Sequence, residues 1–592
     1  MKGYRRLLAL AGPYRRGILA GLVLVVLANL AGILQPFLLG RAIDAMAAAS
    51  PFRVLLEQAG LLMAAAVAGG AARFGMRQLL NSVSRRIENN LRDDLFDQLL
   101  RLDAAFYARM PTGELMSRMT NDTQAVRMAI GPGIMYLANT LVVTILAIAV
   151  MVRYNSTLTL ISLGPLLFLP PVMVGFGRAI HARFEKIQQH FGVMSTMVQE
   201  NLSGVRIVRA YTQEAAQERE FAALNREYFD RNMALARISA VFHPLLAGLT
   251  GLGVLAVLWF GGLDVITGRN TPGEFVAFFF YLGMLVWPMI AIGWVINLFQ
   301  RGSASMGRLE KIFEAEPLVQ PPADPVPVRT PRGQIDFRDV WFRYPGSERD
   351  VLRGVSFRVD AGATAALVGP TGSGKSTIAA LLTRRYDPTR GEILLDGVPL
   401  ARIAPGLLRA LITIVPQDAF VFSATIADNI ALGLPAEAAR DSRIEEAASI
   451  ARLTDTIAAF PDGFETRLGE RGVNLSGGQR QRATLARALA RDARVLILDD
   501  ALSAVDTQTE TDILRGLADV MARRTAIVIS HRMSAVMNAD LILVLDEGAI
   551  IERGRHEDLL ARGGLYASLL RRQILTEDLE ADTPAGSTPI AD

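Results

Sequence analysis

Gly-Pro-Thr-Gly-Ser-Gly-Lys-Ser, residues 369–376, decides how the second half of this chain is read. It follows an apolar strand, Ala-Thr-Ala-Ala-Leu-Val (363–368), and opens an apolar helix, Ile-Ala-Ala-Leu-Leu (378–382). That context turns a glycine-rich pattern into a phosphate loop. Glycines let backbone amides curl around phosphates, and a helix N-terminus adds partial positive charge. Gly369, Thr371, Gly372, Ser373, Gly374 and the following Thr377 are therefore predicted to cradle a nucleotide. Lys375 is predicted to reach the β- and γ-phosphates and Ser376 to ligate Mg2+. Lys375 is one of only four lysines among 62 basic residues. A compact ammonium fits inside such a loop where a planar guanidinium would not.

Outward from that loop, the composition bounds the chemistry. The chain has 592 residues, enough for several domains, and no cysteine, which excludes disulfides, thiol catalysis and cysteine-ligated metals. Its five histidines, at 181, 190, 243, 531 and 556, are too scattered for a histidine-rich metal motif. A net charge of only +4 does not point to nucleic acid as a partner.

The first half reads as membrane. Apolar stretches at 18–39, 57–75, 129–152, 156–177, 241–267 and 273–299 are each long enough to cross a bilayer as a helix. The second is rich in Gly and Ala, which suit close helix packing. Segments 76–128 and 178–240 carry eight and nine basic residues, so the positive-inside rule places both in the cytoplasm. The basic N-terminus belongs there too, as an amphipathic surface helix. In 87–100 apolar residues recur at three and four positions, so helix continues out of the membrane. We read residues 1–315 as a six-span transmembrane domain and the proline-rich 316–332 as a linker. Residues 333–575 alternate short strands with helices, as in an α/β nucleotide-binding domain, and 576–592 form an acidic tail expected to be disordered. The expected fold is thus multidomain: an α-helical membrane half followed by an α/β P-loop half.

About a hundred residues after the phosphate loop comes Leu-Ser-Gly-Gly-Gln (475–479), shortly before the strand Val-Leu-Ile-Leu-Asp (495–499). With six preceding spans, the chain resembles the ATP-binding cassette (ABC) transporter family, in the layout of an exporter half-transporter. The resemblance implies ATP and Mg2+ as ligands and a second half-transporter as partner. By position, Tyr344 matches the aromatic that stacks on adenine. Gln417 matches the glutamine that contacts Mg2+ and the attacking water, Asp499 the Mg2+ carboxylate, and His531 the γ-phosphate contact. Ser476, Gly477, Gly478 and Gln479 match the signature that caps the facing chain's ATP, and Asp506 the loop that crosses to that chain. Gly-Glu-Arg-Gly (469–472) resembles the segment that touches the intracellular helices, and 106–122 and 204–214 resemble the two intracellular loops.

One position departs from the family pattern. The residue after the Mg2+ aspartate is normally a glutamate that handles the attacking water, and here it is Asp500. Removing a methylene withdraws the carboxylate by roughly an ångström, a misplacement that can cost about a hundredfold in rate. An intact signature beside a shortened base points to a heterodimer, as in bacterial exporters related to the peptide transporter of antigen processing. This chain would then hold ATP at a weakly hydrolytic site and complete a competent site on its partner. The alternatives are a slow homodimeric exporter and an ATP-gated regulator or channel subunit. The expected cargo is amphipathic or apolar (peptide, drug or lipid), exported across a bacterial cytoplasmic membrane with the cassette and both termini inside. Asn29, Gln35, Asn139, His243 and Asn297 either line a cavity or join helices.

Overall fold

The computed structural model describes residues 2–328, 331–434, 440–469 and 472–581. Two compact units emerge: Met1–Arg101 with Met110–Ala315, and Leu102–Arg109 with Glu316–Asp592.

The first unit is helical throughout. A short amphipathic helix, α1 (Lys2–Ala11), precedes α2 (Arg15–Ala47) and α3 (Phe52–Arg101). After α4 (Ala104–Arg109), which groups with the second unit, come α5 (Thr112–Tyr154), α6 (Ser156–Ser203), the short α7 (Val205–Ala210), α8 (Glu214–Ile266) and α9 (Pro272–Phe313). Among the described residues, six of these are long and apolar enough to cross a membrane. The 50 residues of α3 extend about 75 Å, more than twice a hydrocarbon core of about 30 Å. Helix therefore continues well beyond the bilayer, as the periodicity of 87–100 predicts.

Small residues set how closely α2 and α3 approach. A Cβ on Gly69 would come within 3.2 Å of Ala31, and one on Gly75 within 3.0 Å of Leu24. Of the polar residues in the spans, Asn29 donates to Asn139 Oδ1 (3.0 Å) and to the Val25 carbonyl (2.8 Å), so this pair joins α2 to α5. Asn297 is exposed, Gln35 is half-buried, and the side chain of His243 lies outside the described set. Near the end of α2, the Asp44 carboxylate accepts from Thr271 Oγ1 and Gly273 N (both 2.7 Å), capping the start of α9.

The second unit holds two sheets. Strands β1 (Ile335–Phe342), β2 (Leu352–Val359), β4 (Arg390–Leu395) and β5 (Val398–Pro399) form an antiparallel sheet in the order β2-β1-β4-β5. The larger sheet runs β10-β9-β3-β8-β7-β6, with β3 (Thr364–Val368), β6 (Ile412–Val415), β7 (Val495–Asp499), β8 (Thr525–Ile529) and β9 (Leu541–Asp546) all parallel. β10 (Ala549–Gly554) pairs antiparallel at its edge. β7 and β8 are buried at every position, and this explains why they read as unbroken apolar runs rather than alternating ones.

Two separate cores flank that sheet. One contains Ile378, Leu381 and Leu382 of the helix after the phosphate loop, α10 (Lys375–Leu382). The other contains Ala483, Leu485 and Ala486 of the helix after the signature, α11 (Gly477–Ala490), with Ile513 and Leu517 of α12 (Thr507–Met521). The last helix, α13 (Leu565–Ala581), runs six residues into the stretch expected to be disordered; the remainder of that tail and Glu470–Arg471 lie outside the described residues.

Candidate nucleotide site

Four neighbouring strands deliver the predicted residues to one edge. In the order β3-β8-β7-β6, Leu367 pairs with Ile529, Ile529 with Asp499, and Leu498 with Val415. Just past those positions stand the phosphate loop, His531, Asp499 with Asp500, and Gln417. The carboxyl edge of a parallel sheet is where such folds bind ligands, because loops and helix N-termini converge there.

The phosphate loop is built as a tight cradle. Gly369 has a positive φ, and a Cβ there would drive into the Leu545 carbonyl; one on Gly374 would lie 2.7 Å from Leu352 Cδ2. Lys375 is buried and folds back across the loop, donating to the carbonyls of Gly369 and Pro370, both at 2.8 Å. Burial pulls its pKa below the ordinary lysine value, against the opposing pull of Asp500 and Asp499. Thr371, Gly372 and Ser376 are exposed at the crown, while Ser373 and Thr377 are buried. Tyr344 is half-buried, its ring edge-on to Phe342 and Tyr386 and its hydroxyl 3.1 Å from Thr377 Oγ1.

Asp499 accepts from Ser376 Oγ at 3.0 Å. Burial raises its pKa above the usual carboxylate range; the Asp500 charge adds to the rise, while Ser376, Arg385 and Lys375 oppose it. Among the described residues, no three His, Asp or Glu side chains gather into a metal cage. A hydroxyl and one carboxylate as the protein's oxygen donors suit Mg2+, which takes phosphate oxygens and waters for its other positions. Gln417 is exposed, two residues past β6.

Asp500 is buried and sits in the left-handed region at φ +46°. Its Oδ1 accepts from the His531 backbone N–H (3.2 Å), and its Oδ2 is 3.5 Å from His531 Nε2. Its own N–H donates to the Ile529 carbonyl at 2.9 Å. The carboxylate thus braces the loop that carries His531. That imidazole is itself about half exposed, at 49% of its side-chain surface.

The signature stands on the other core. Ser476 caps α11: its hydroxyl accepts from Gln479 N (3.3 Å) and its own N–H donates to Gln479 Oε1 (2.9 Å). A Cβ on Gly478 would come within 2.7 Å of the Ala504 carbonyl, so the helix start lies directly on the loop after Asp500. Asp506 caps α12 by accepting from Thr509 N at 2.9 Å, which lowers its pKa. The phosphate loop and the signature therefore belong to different packed layers, and each is held by its own layer's contacts.

Several residues that sequence reasoning passed over tie these loops together. Buried Gln481 donates to Ser503 Oγ (2.9 Å) and accepts from Ala504 N (2.9 Å), fixing α11 to the loop after β7. Arg532 pairs with buried Glu510 and donates to the carbonyls of Val505 (3.0 Å) and Ser503 (3.2 Å). A polar residue on the apolar face of an Ala- and Leu-rich helix was the one available signal for Gln481. Arg532 and Glu510 carried none, since charged residues beside loops are common.

Fold and site together define a multi-pass membrane protein carrying a parallel-sheet P-loop nucleotide-binding domain. Residues 18–289 match the ABC transporter transmembrane region and residues 352–503 the ABC transporter domain. The chain is 39% identical over 559 residues to the probable multidrug resistance ABC transporter ATP-binding/permease protein YheI of Bacillus subtilis, covering 94% of each chain. It is 36% identical to the multidrug resistance-like ATP-binding protein MdlA of Escherichia coli, covering 96% of each. It is also 34% identical to the ATP-dependent lipid A-core flippase of Syntrophus aciditrophicus, covering 96% of this chain and 94% of that one. A bacterial Atm1-family ABC exporter solved with ATP bound superposes with a TM-score of 0.76 at 30% identity, over 95% of this chain and 99% of that one. The chain belongs to the ABC transporter family: it is an ATP-driven exporter half-transporter, with membrane and nucleotide-binding regions on one polypeptide.

Proposed function

We propose that this chain is the degenerate-site half of an asymmetric exporter. It holds ATP and Mg2+ at a slow site and completes a fast site on a different partner, as in the resemblance to the TmrB subunit of TmrAB. The observation that carries the reading is Asp500: a methylene shorter than the expected glutamate, its carboxylate is engaged by His531 rather than presented outward. In this reading Lys375 and the amides of 369–377 neutralise the phosphates, and Tyr344 flanks the adenine. Ser376, Asp499 and Gln417 hold Mg2+, which when bound offsets charge developing on the β- and γ-phosphates. His531 contacts the γ-phosphate. Ser476, Gly477, Gly478 and Gln479 cap the partner's nucleotide, and Asp506 crosses beside it.

The names of its relatives, multidrug resistance proteins and a lipid A-core flippase, support an amphipathic or hydrophobic cargo leaving the cytoplasm through a bacterial inner membrane. One observation favours a slow homodimer instead. At φ +46° aspartate is tolerated better than glutamate, which gives the backbone a reason of its own for the shorter residue. Purification from native membranes in mild detergent, with mass spectrometry of co-purifying chains, separates the two. A stoichiometric second half-transporter with glutamate at this position supports the asymmetric pair, and recovery of this chain alone as a dimer rejects it.

A further inference from the structure

The last helix reaches back to the nucleotide site. Tyr566, Leu569, Leu570 and Gln573 fall on one face of α13 by their spacing of three and four residues. The first three join or flank the core shared by α11 and α12, with Tyr566 fully buried. The start of the helix is fixed as well: the Glu552 carboxylate of β10 accepts from Leu565 N (2.6 Å) and Tyr566 N (3.3 Å). An amide on an otherwise apolar stripe needs a partner. Gln573 Oε1 finds one in the backbone N–H of Met533, from which it accepts at 2.9 Å.

Met533 stands two residues past His531. We propose that Gln573 is a positioning residue for the γ-phosphate: from α13 it fixes the backbone of the loop that carries His531, and so sets the preference of this chain's site for ATP over ADP. The inference rests on the γ-phosphate contact proposed for His531.

The loop depends on such contacts because it leaves the sheet at Ile529, where its amides lose their strand partners. Side chains take over in turn. Asp500 Oδ1 accepts from His531 N (3.2 Å), Ser530 Oγ from Arg532 N (3.0 Å), and Gln573 Oε1 from Met533 N. A cavity of about 260 Å³ lies beside this segment, between Gly369 of the phosphate loop and Leu569 and Gln573 of α13. Packing resists movement little on that side, so hydrogen bonds set where the loop stands. Met533 is buried, and removing the Gln573 acceptor takes the partner from its N–H and frees the loop to relax toward the cavity.

ADP lacks the γ-phosphate and serves as the internal control. Misplacing His531 weakens ATP alone, whereas a defect in folding or in the rest of the site weakens both nucleotides. The test uses the assembled transporter purified from native membranes. Radiolabelled azido-ATP is crosslinked to this chain on ice and competed with Mg-ATP or, separately, Mg-ADP. Gln573→Met keeps a helix-favouring side chain of similar length but loses the amide oxygen. We expect it to lower the preference for ATP over ADP by about fivefold, the scale of one neutral hydrogen bond, with ADP affinity unchanged. His531→Ala should lower that preference by about tenfold or more, the scale of a contact to a charged group. Adding Gln573→Met to His531→Ala should change it no further, because one residue acts through the other. An unchanged preference in Gln573→Met, equal losses for ATP and ADP, or a further loss in the double variant overturns the proposal. If His531→Ala itself leaves the preference intact, the γ-phosphate reading of His531 fails, and the role of Gln573 falls with it.

Discussion

Replacing Asp500 tests the central reading, because two substitutions separate charge from reach. Asparagine keeps the length of the side chain, keeps an oxygen able to accept from His531 N–H, and tolerates the left-handed φ of +46°. It removes the negative charge and, with it, the basicity. If the partner's site does the work, Asp500→Asn leaves steady-state turnover of the assembled transporter within about twofold, whereas loss of a working base costs about 10²–10⁴-fold. Glutamate restores reach. Recovering roughly an ångström is worth up to about a hundredfold, or about 2.7 kcal/mol of barrier, at this chain's own site. Against that, glutamate gives up the brace on the His531 loop, about 1 kcal/mol, and carries a similar cost for its left-handed backbone. The net of about 0.7 kcal/mol makes the expectation for Asp500→Glu a gain of about threefold at this site, with slightly lower thermal stability. The assay is phosphate release by the reconstituted transporter at saturating Mg-ATP, with single-turnover trapping to assign hydrolysis to each site. A collapse of turnover in Asp500→Asn refutes the argument, since it would make Asp500 a base that acts despite its length.

Other consequences are more local. Lys375→Ala should weaken nucleotide binding at this site by at least about a hundredfold, read as loss of ATP-induced thermal stabilisation of the chain. Gly478→Ala should force α11 away from the Ala504 carbonyl and lower turnover by about tenfold or more without unfolding the domain, because overpacking at one contact costs about 1–3 kcal/mol. The raised pKa of Asp499 gives a pH signature. A protonated carboxylate does not ligate Mg2+, so Mg2+-dependent nucleotide binding should begin to fail at a higher pH than an ordinary carboxylate would allow. Without metal the sign reverses: the ionised form is the disfavoured one in the folded state, so stability falls as pH rises through the raised value. Since the Asp500 charge contributes to the rise, Asp500→Asn should move the Mg2+ profile to lower pH; coincident profiles would refute that coupling.

What the sequence made legible follows from how each feature is encoded. The six spans and the phosphate loop are local: an apolar run must be helical in lipid, and a glycine-rich turn between strand and helix has few uses. The site's assembly was legible only through resemblance, because Lys375 and Asp499 are more than a hundred residues apart and meet through strand order alone. Ser476 and Asp506 show the reverse. Both have a sufficient local reason to exist as helix N-caps, so the motif letters alone cannot separate a cap from a ligand. Gln481, Glu510 and Arg532 were illegible for a third reason: their partners lie about twenty residues or more away, on loops with no periodicity to read. The same holds for the link that matters most to the proposed chemistry. His531 and Asp500 stand 31 residues apart, yet the carboxylate of one anchors the backbone of the other, a contact that exists because β7 and β8 are neighbours. In the proposed function a change at Asp500 would therefore act on the γ-phosphate contact as well as on the attacking water, and the asparagine variant, which preserves that anchor while removing the charge, separates loss of the base from loss of the anchor.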